Sequence, residues 1–265
     1  MDDVVREIEE ALVGHWSHFG RWPKGALVED RGTLRYETPI AHLPYNGVVR
    51  TQIDGDADAV IADVAAAFGA RPFLWWVTPS SAPPDLGARL EAHGLSLVER
   101  VTGMALDLDA WVPEEPSPGV SYVEVLDDDG LRAYGDLIVS YWELPEDTRG
   151  LAEEVNAFWG PGRIAAHRIL AYVDGRPVGK GLLSLEAPEG VAAIYGMSVR
   201  PEARGRGIAA GMTTTLLRRA QELGVRRAVL HSSAMAVGVY ERAGFVACCP
   251  LEVYATARIW SGRDH

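Results

Sequence analysis

A short basic turn between an apolar stretch and a helical stretch is the part of this sequence best suited to chemistry. The turn contains Arg204, Gly205, Arg206 and Gly207, and it follows the β-type run Val191–Val199. Backbone N–H groups at the start of a helix lack intrahelical acceptors, and the helix dipole adds partial positive charge there. Glycines allow an anion to approach the backbone closely, and arginines add full charges. The pattern therefore predicts a site for a pyrophosphate-bearing ligand.

The same residues, Gly205 to Ala210, also spell the G-x-G-x-x-A fingerprint of dinucleotide-binding folds. That fingerprint follows the first strand of a βαβ unit and needs a carboxylate at the end of the next strand. Here a predicted hairpin precedes the turn, and the next strand ends at Val229–Ser232, which contains no carboxylate. Both departures argue against a nicotinamide cofactor.

Two motifs in the right order give the sequence a resemblance to a known family. The stretch R-x-x-G-x-A at Arg204–Ala209 resembles the acyl-CoA-binding motif of the GNAT superfamily of N-acetyltransferases. Downstream, the residues Y-E-R-A-G-F at Tyr240–Phe245 resemble a second element of that family, at a matching distance. The resemblance implies transfer of an acetyl group from acetyl-CoA to a primary amine. A non-catalytic acyl-CoA sensor is the alternative.

The resemblance also implies which residues bind the cofactor. The backbone of Met197, Ser198 and Val199 should run beside the pantetheine arm of coenzyme A. The N–H groups of the basic turn should hold the pyrophosphate; these belong to Arg204, Gly205, Arg206, Gly207, Ile208 and Ala209. Ser233 stands where many relatives have an asparagine, and it either contacts the cofactor or caps the following helix.

For the chemical step, the resemblance implies that Tyr240 protonates the departing thiolate; the alternative is that it only packs under the cofactor. Many relatives carry an acidic general base where this chain has Tyr195 and Gly196. Glu186 is our predicted substitute, and it could equally be a solvated carboxylate. His167 and His231 are the other candidates for the base.

The acceptor amine is expected between the first two helices of the C-terminal half and the sheet. The predicted acceptor-binding residues are Tyr134, Tyr141, Trp142 and Glu143. Aromatic rings with a carboxylate suit an apolar amine, although both tyrosines could simply belong to the core. Trp22, Trp75 and Trp76 could contribute if the two halves of the chain face each other.

Composition narrows the range of partners. The chain of 265 residues has a formal charge of −12, and its acidity is concentrated before residue 119. This distribution argues against nucleic acid and mildly favours a cationic acceptor. No apolar run reaches transmembrane length, so a cytoplasmic protein, a monomer or homodimer, is expected. The adjacent Cys248 and Cys249 should be reduced, and no metal-binding motif occurs.

The proline-rich segment at residues 113–118 predicts a linker between two domains. The order of predicted elements in residues 1–112 resembles the order in residues 119–265. We therefore expect an α/β (α+β) fold of tandem GNAT-like domains, each a mixed, mostly antiparallel sheet flanked by helices. The first domain would be degenerate, because Thr51–Asp56 replaces the basic turn with an acidic one. An unrelated cap domain is the alternative.

Overall fold

The computed structural model describes residues 2–113, 115 and 118–256. The helices in this part of the chain are α1 (Asp3–Ser17), α2 (Ala57–Phe68), α3 (Leu86–Ala92), α4 (Asp128–Trp142), α5 (Glu146–Phe158), α6 (Ile208–Glu222) and α7 (Val237–Arg242). The strands are β1 (Ala26–Asp30), β2 (Thr33–Glu37), β3 (Gly47–Thr51), β4 (Leu74–Val77), β5 (Ser96–Asp107), β6 (Ser121–Glu124), β7 (Ala166–Val173), β8 (Arg176–Ser184), β9 (Val191–Val199), β10 (Arg227–Ser233) and β11 (Val246–Ala255).

All eleven strands join one continuous sheet in the order β1-β2-β3-β4-β11-β5-β10-β9-β8-β7-β6. Only the pairs β3–β4 and β9–β10 are parallel; the other pairs are antiparallel. The prediction of an α/β fold with a mixed, mostly antiparallel sheet is confirmed. Three residues of the predicted linker 113–118, and the end of the predicted closing strand Leu251–Ile259, lie outside the described residues.

The order of elements repeats along the chain, and the last strands of the two repeats are exchanged. The series α1, three strands, α2, β4, α3, β5 is followed later by α5, three strands, α6, β10, α7, β11. In the sheet, however, β4 pairs with β11, while β10 pairs with β5. Each half of the chain therefore completes the sheet of the other half.

Side chains that alternate along the strands build a core on each face of the sheet. One face packs against α1 through Leu12, Tyr195 and Val253, which come from both halves. The opposite face packs against α6 and α7 in the C-terminal half and against α2 and α3 in the N-terminal half. A glycine brings α1 very close to the strands: a Cβ atom at Gly14 would clash with the carbonyl oxygen of Glu186.

The strand β5 corrects one sequence-based expectation. The sequence predicts two short strands, Leu97–Val101 and Met104–Leu108, because Thr102 and Gly103 interrupt the apolar pattern. In the structure the strand is continuous and pairs with β10 and β11 across this point. A Cβ atom at Gly103 would lie 2.7 Å from the Sγ of Cys249, so the glycine allows β11 to pack closely rather than marking a turn.

Candidate functional site

The parallel strands β9 and β10 separate from each other near the middle of the sheet. They pair only through Val191–Ala193 and Arg227–Val229, although both strands continue further. The end of β10 pairs instead with β5 on its other side. At the same level Gly196 adopts a positive φ of 60°, and the β8–β9 register shifts there. The backbone of Met197–Val199 is therefore open on the side that faces β10.

A cavity of about 280 Å³ lies at this opening, and both halves of the chain line it. From the N-terminal half the lining includes His15, Trp16, His18, Phe19, Trp76 and Glu99. From the C-terminal half it includes Tyr134, Tyr141, Trp142, Trp159, Arg168, Lys180, Tyr195, Met197, His231, Ser233 and Tyr240. The exchanged strands thus bring residues from both halves to one site.

The basic turn follows β9 directly and leads into α6. Gly205 and Gly207 have φ values of 74° and 73°, the left-handed region that glycine tolerates best. The N–H of Arg204 bonds to Pro201, and that of Gly211 to Gly207. Within the described part of the chain, the amides from Gly205 to Ala210 have no intramolecular acceptor. Consecutive unpaired amides at the start of a 15-residue helix have the geometry to bind an anion.

Tyr240 lies on α7 with its ring buried at the cavity wall. Burial, and to a lesser extent the proximity of Tyr141, raises the pKa of its phenol above the ordinary value of 10. The hydroxyl therefore remains protonated over the whole neutral range. It can donate a proton to a group that becomes basic in the cavity.

The predicted base Glu186 does not line the cavity. Its carboxylate accepts a hydrogen bond from Arg21 at 2.9 Å, and the pair lies beside α1. His167 also lies elsewhere, at 2.5 Å from a carboxylate oxygen of Glu124. The arrangement therefore does not bring either residue to the proposed reacting groups.

His231, the third candidate for the base, does line the cavity. Its ring lies 4.8 Å from Trp76 and 5.0 Å from Tyr195, measured between centroids. Its Nδ1 atom is buried without a hydrogen-bond partner, as is the hydroxyl of Tyr195. Burial lowers the pKa of His231 to about 4, so the imidazole is neutral at pH 7.

Sequence reasoning missed two histidines that α1 brings to the same place. His15 stacks on Tyr195 with ring centroids 4.2 Å apart. Burial lowers the pKa of His15, and neighbouring positive or titratable groups lower it further. His18, next to it, has its pKa lowered to about 4 by burial, partly opposed by a hydrogen bond to the carbonyl of His15. Only the spacing of His15 and Trp16, near the end of α1, and Phe19, just after it, could have indicated a shared surface.

Three of the four predicted acceptor-binding residues, Tyr134, Tyr141 and Trp142, line the cavity. Glu143 does not: it ends α4 in the left-handed conformation, with φ 49°. Among the tryptophans of the N-terminal half, Trp76 lines the cavity, while Trp22 and Trp75 pack in other clusters.

The described residues contain no group of three or more His, Cys, Asp or Glu that could hold a metal ion. Cys248 is exposed and Cys249 buried, and neither forms a disulfide within the described residues. Among the helices of the described ranges, none has the length and apolar character needed to cross a bilayer.

The chain matches known acetyltransferases in sequence. Residues 131–245 match the model of the acetyltransferase (GNAT) family. A mycothiol acetyltransferase from Streptomyces coelicolor is 30% identical over 227 residues, which cover 81% of this chain and 70% of that protein. One from Cellulomonas flavigena is 30% identical over 180 residues, with 61% and 51% covered. The chain thus spans about half the length of the Cellulomonas flavigena protein and 70% of the Streptomyces coelicolor protein.

Solved structures support the same assignment at the level of the fold. A GCN5-related N-acetyltransferase from Kribbella flavida superimposes with a TM-score of 0.70 at 18% identity, covering 93% of this chain and 95% of that one. A tandem GNAT protein from the clavulanic acid biosynthesis pathway gives a TM-score of 0.60 at 15% identity, with 98% and 96% covered. The fold is thus shared with tandem GNAT proteins. The resemblance drawn from the two motifs is confirmed: the chain belongs to the GNAT family of acetyltransferases.

Proposed function

We propose that this protein transfers the acetyl group of acetyl-CoA to a primary amine of a small molecule, at one site in the C-terminal half. The observation that carries the proposal is the run of unpaired amides from Gly205 to Ala210 beside the opening between β9 and β10. The curated relatives are named mycothiol acetyltransferases, so a mycothiol-related amine is the first acceptor to assay.

The residues present fit coenzyme A at both of its polar regions. The turn at Arg204–Ala209 offers amides and two guanidinium groups to a pyrophosphate. The open edge of Met197, Ser198 and Val199 offers strand-type hydrogen bonds to the pantetheine amides, and Ser233 lies on the cavity wall opposite. When bound, acetyl-CoA supplies an acetyl group activated as a thioester.

The chain's own residues would stabilise the developing charge and supply the proton that the reaction needs. An amide of β9 at the Gly196 bulge would stabilise negative charge on the acetyl oxygen. Tyr240 holds the proton that the leaving thiolate requires. We assign to His231 a hydrogen bond that positions the amine, because its imidazole is neutral and lies on the cavity wall, whereas Glu186 is bound to Arg21 outside it. With a pKa of about 4 it is a weak base, so the amine reacts from its neutral form.

We also propose that the N-terminal half is a degenerate second domain that no longer binds cofactor. Its helix α2 corresponds to α6 in the repeated order of elements. The carboxylate of Asp56 caps α2 by accepting from the amide of Ala59 at 3.1 Å. A negative charge therefore occupies the place of the anion. The boundaries of the two domains, 1–112 and 119–265, remain predictions.

Calorimetric titration with acetyl-CoA tests the cofactor site. Replacing Gly207 by glutamate puts a negative charge among the free amides, and should weaken binding at least about tenfold, or about 1.4 kcal/mol. Gly224→Glu is the matched control, since Gly224 follows the other end of α6 and has a φ of 74° with open space around it. Both variants carry the same kind of backbone strain. Equal affinity of the wild type and Gly207→Glu would contradict the proposed site.

Turnover separates the enzyme from a sensor. Release of free thiol from acetyl-CoA in the presence of an amine panel is expected for the wild type. Binding of acetyl-CoA with no thiol release on any amine would favour the sensor instead.

A further inference from the structure

The charges around the cavity are predominantly positive, in contrast to the acidic chain as a whole. Two lining residues are basic, Arg168 and Lys180, and Glu99 is the one carboxylate among the described lining residues. The lining histidines are neutral at pH 7, because burial lowers the pKa of each. A second positive charge on the acceptor would therefore be repelled.

Arg168 is the least compensated of these charges. Its guanidinium donates to the carbonyl oxygen of Trp159 and lies 5.6 Å from the ring centre of Tyr134. It forms no ion pair with any described residue. A guanidinium stays charged even when buried and has five N–H donors in a planar fork. Burying a guanidinium without an anion costs desolvation free energy, and an anionic ligand would offset that cost.

Neighbouring donors in the cavity wall also lack acceptors. The indole Nε1 atoms of Trp159, Trp16 and Trp76 are buried without a hydrogen-bond partner. Trp159 is the residue whose carbonyl group fixes Arg168, and its ring lies 6.0 Å from that of His18. Near α5 and β7 the cavity wall therefore offers two donors to a ligand, the guanidinium of Arg168 and the indole N–H of Trp159.

Lys180 adds positive charge near the bulge of β9. Its Nζ donates to the carbonyl oxygen of Gly196 at 2.7 Å and lies 5.5 Å and 5.3 Å from the ring centres of Tyr134 and Tyr141. The ammonium group is thus fixed near the opening where the amine must react. Its field favours the neutral form of an incoming amine.

Resting on the proposed function, we propose that the acceptor is an amine that also carries a carboxylate, and that Arg168 binds this carboxylate. The reacting amine would lie toward Lys180 and His231, in a field that keeps it neutral. Aromatic side chains would contact the apolar part of the molecule. This differs from the sequence-based expectation of a cationic or purely apolar amine, which rested on the acidic composition and on Glu143.

Binding of a product analogue tests this without requiring turnover. N-acetylphenylalanine and its uncharged amide differ only in the carboxylate, and tryptophan fluorescence reports both because four tryptophans lie in the cavity wall. In the presence of coenzyme A, the acid should bind the wild type about 10- to 100-fold more tightly than the amide, the range expected for a charge-assisted hydrogen bond. Arg168→Met should reduce this ratio to about one, while Arg168→Lys should retain part of it.

Arg21→Met is the matched control, since Arg21 pairs with Glu186 outside the cavity and its loss should leave the ratio unchanged. Thermal unfolding of each variant identifies any that fail to fold. If Arg168→Met does not fold, Arg168→Lys is compared with the wild type instead. Equal affinity for acid and amide, an unchanged ratio in Arg168→Met, or no saturable signal from either compound would overturn the proposal. Titration of the same samples with acetyl-CoA tests the cofactor site separately. Normal binding of acetyl-CoA would mean that the acceptor proposal fails while the proposed function stands.

Discussion

Acid should unfold this protein partly through the buried imidazole of His231. The pKa of this residue is lowered by burial from its ordinary value of 6.5 to about 4. Because the folded pKa lies below the unfolded one, the unfolded state binds the proton more tightly between these values. Stability is therefore lost as the pH falls from about 6.5 toward about 4, and it is fully present above that window.

The magnitude follows from the two pKa values. At pH 7, protonation of His231 in the unfolded chain lowers the free energy of unfolding by only about 0.2 kcal/mol. At pH 5 the unfolded histidine is almost fully protonated while the folded one is not, and the cost is about 2 kcal/mol. Lowering the pH from 7 to 5 should therefore remove about 1.8 kcal/mol of unfolding free energy through His231. His18, whose pKa is also lowered to about 4, should contribute a similar amount.

Urea denaturation at pH 7 and pH 5 measures this difference directly. The comparison is between the wild type and His231→Gln, because every other titrating group is common to both. The variant should lose about 1.8 kcal/mol less than the wild type between the two pH values. Phe68→Leu is the control: it perturbs packing against Phe73 in a core cluster that contains none of the cavity histidines, and its pH dependence should match that of the wild type. Parallel pH dependence of the wild type and His231→Gln would refute the burial of a neutral imidazole.

Two further predictions concern catalysis and the exchanged strands. If the phenol serves as general acid, Tyr240→Phe should lower kcat by about 10²-fold or more, while the Kd of acetyl-CoA stays within a few-fold. Stopped-flow thiol release measures kcat, and calorimetry measures the Kd. An unchanged kcat would mean that Tyr240 only packs in the wall. Residues 2–113 expressed alone should not form the native sheet, because β11 lies between β4 and β5; dispersed amide resonances from that fragment would contradict the exchange.

The elements around the cofactor site were predictable because their signals are local. The left-handed glycines, the apolar strand before them and the helix after them lie within about 35 residues of each other, and nearby contacts decide their conformation. The motifs at Arg204–Ala209 and Tyr240–Phe245 added the family, and with it the fold. The repeated order of elements was likewise visible from the hydrophobic pattern, and the structure shows it in both halves.

The acceptor side of the cavity was not predictable, because distant segments create it. The sequence places Glu186 at the end of a strand, which made it a reasonable candidate for the base. In the structure it is bound by Arg21, which lies 165 residues away in the chain and could not be foreseen as its partner. His15 comes from the first helix and reaches Tyr195 only because α1 packs on the shared face of the sheet. Net charge describes the whole chain, whereas the charge of the cavity wall depends on a few residues such as Arg168 and Lys180.

The exchange of strands gives a physical reason why the N-terminal half is required for the site, whether or not it binds coenzyme. The strand β5 lies between β10 and β11, and one hydrophobic core contains Leu12, Val101, Tyr195 and Val253 from both halves. Neither half can therefore rotate against the other without breaking two ladders of backbone hydrogen bonds. A cavity whose walls come from both halves is thereby kept rigid, which lowers the entropic cost of holding the acceptor near the thioester. Substitutions in the N-terminal half are constrained by that geometry.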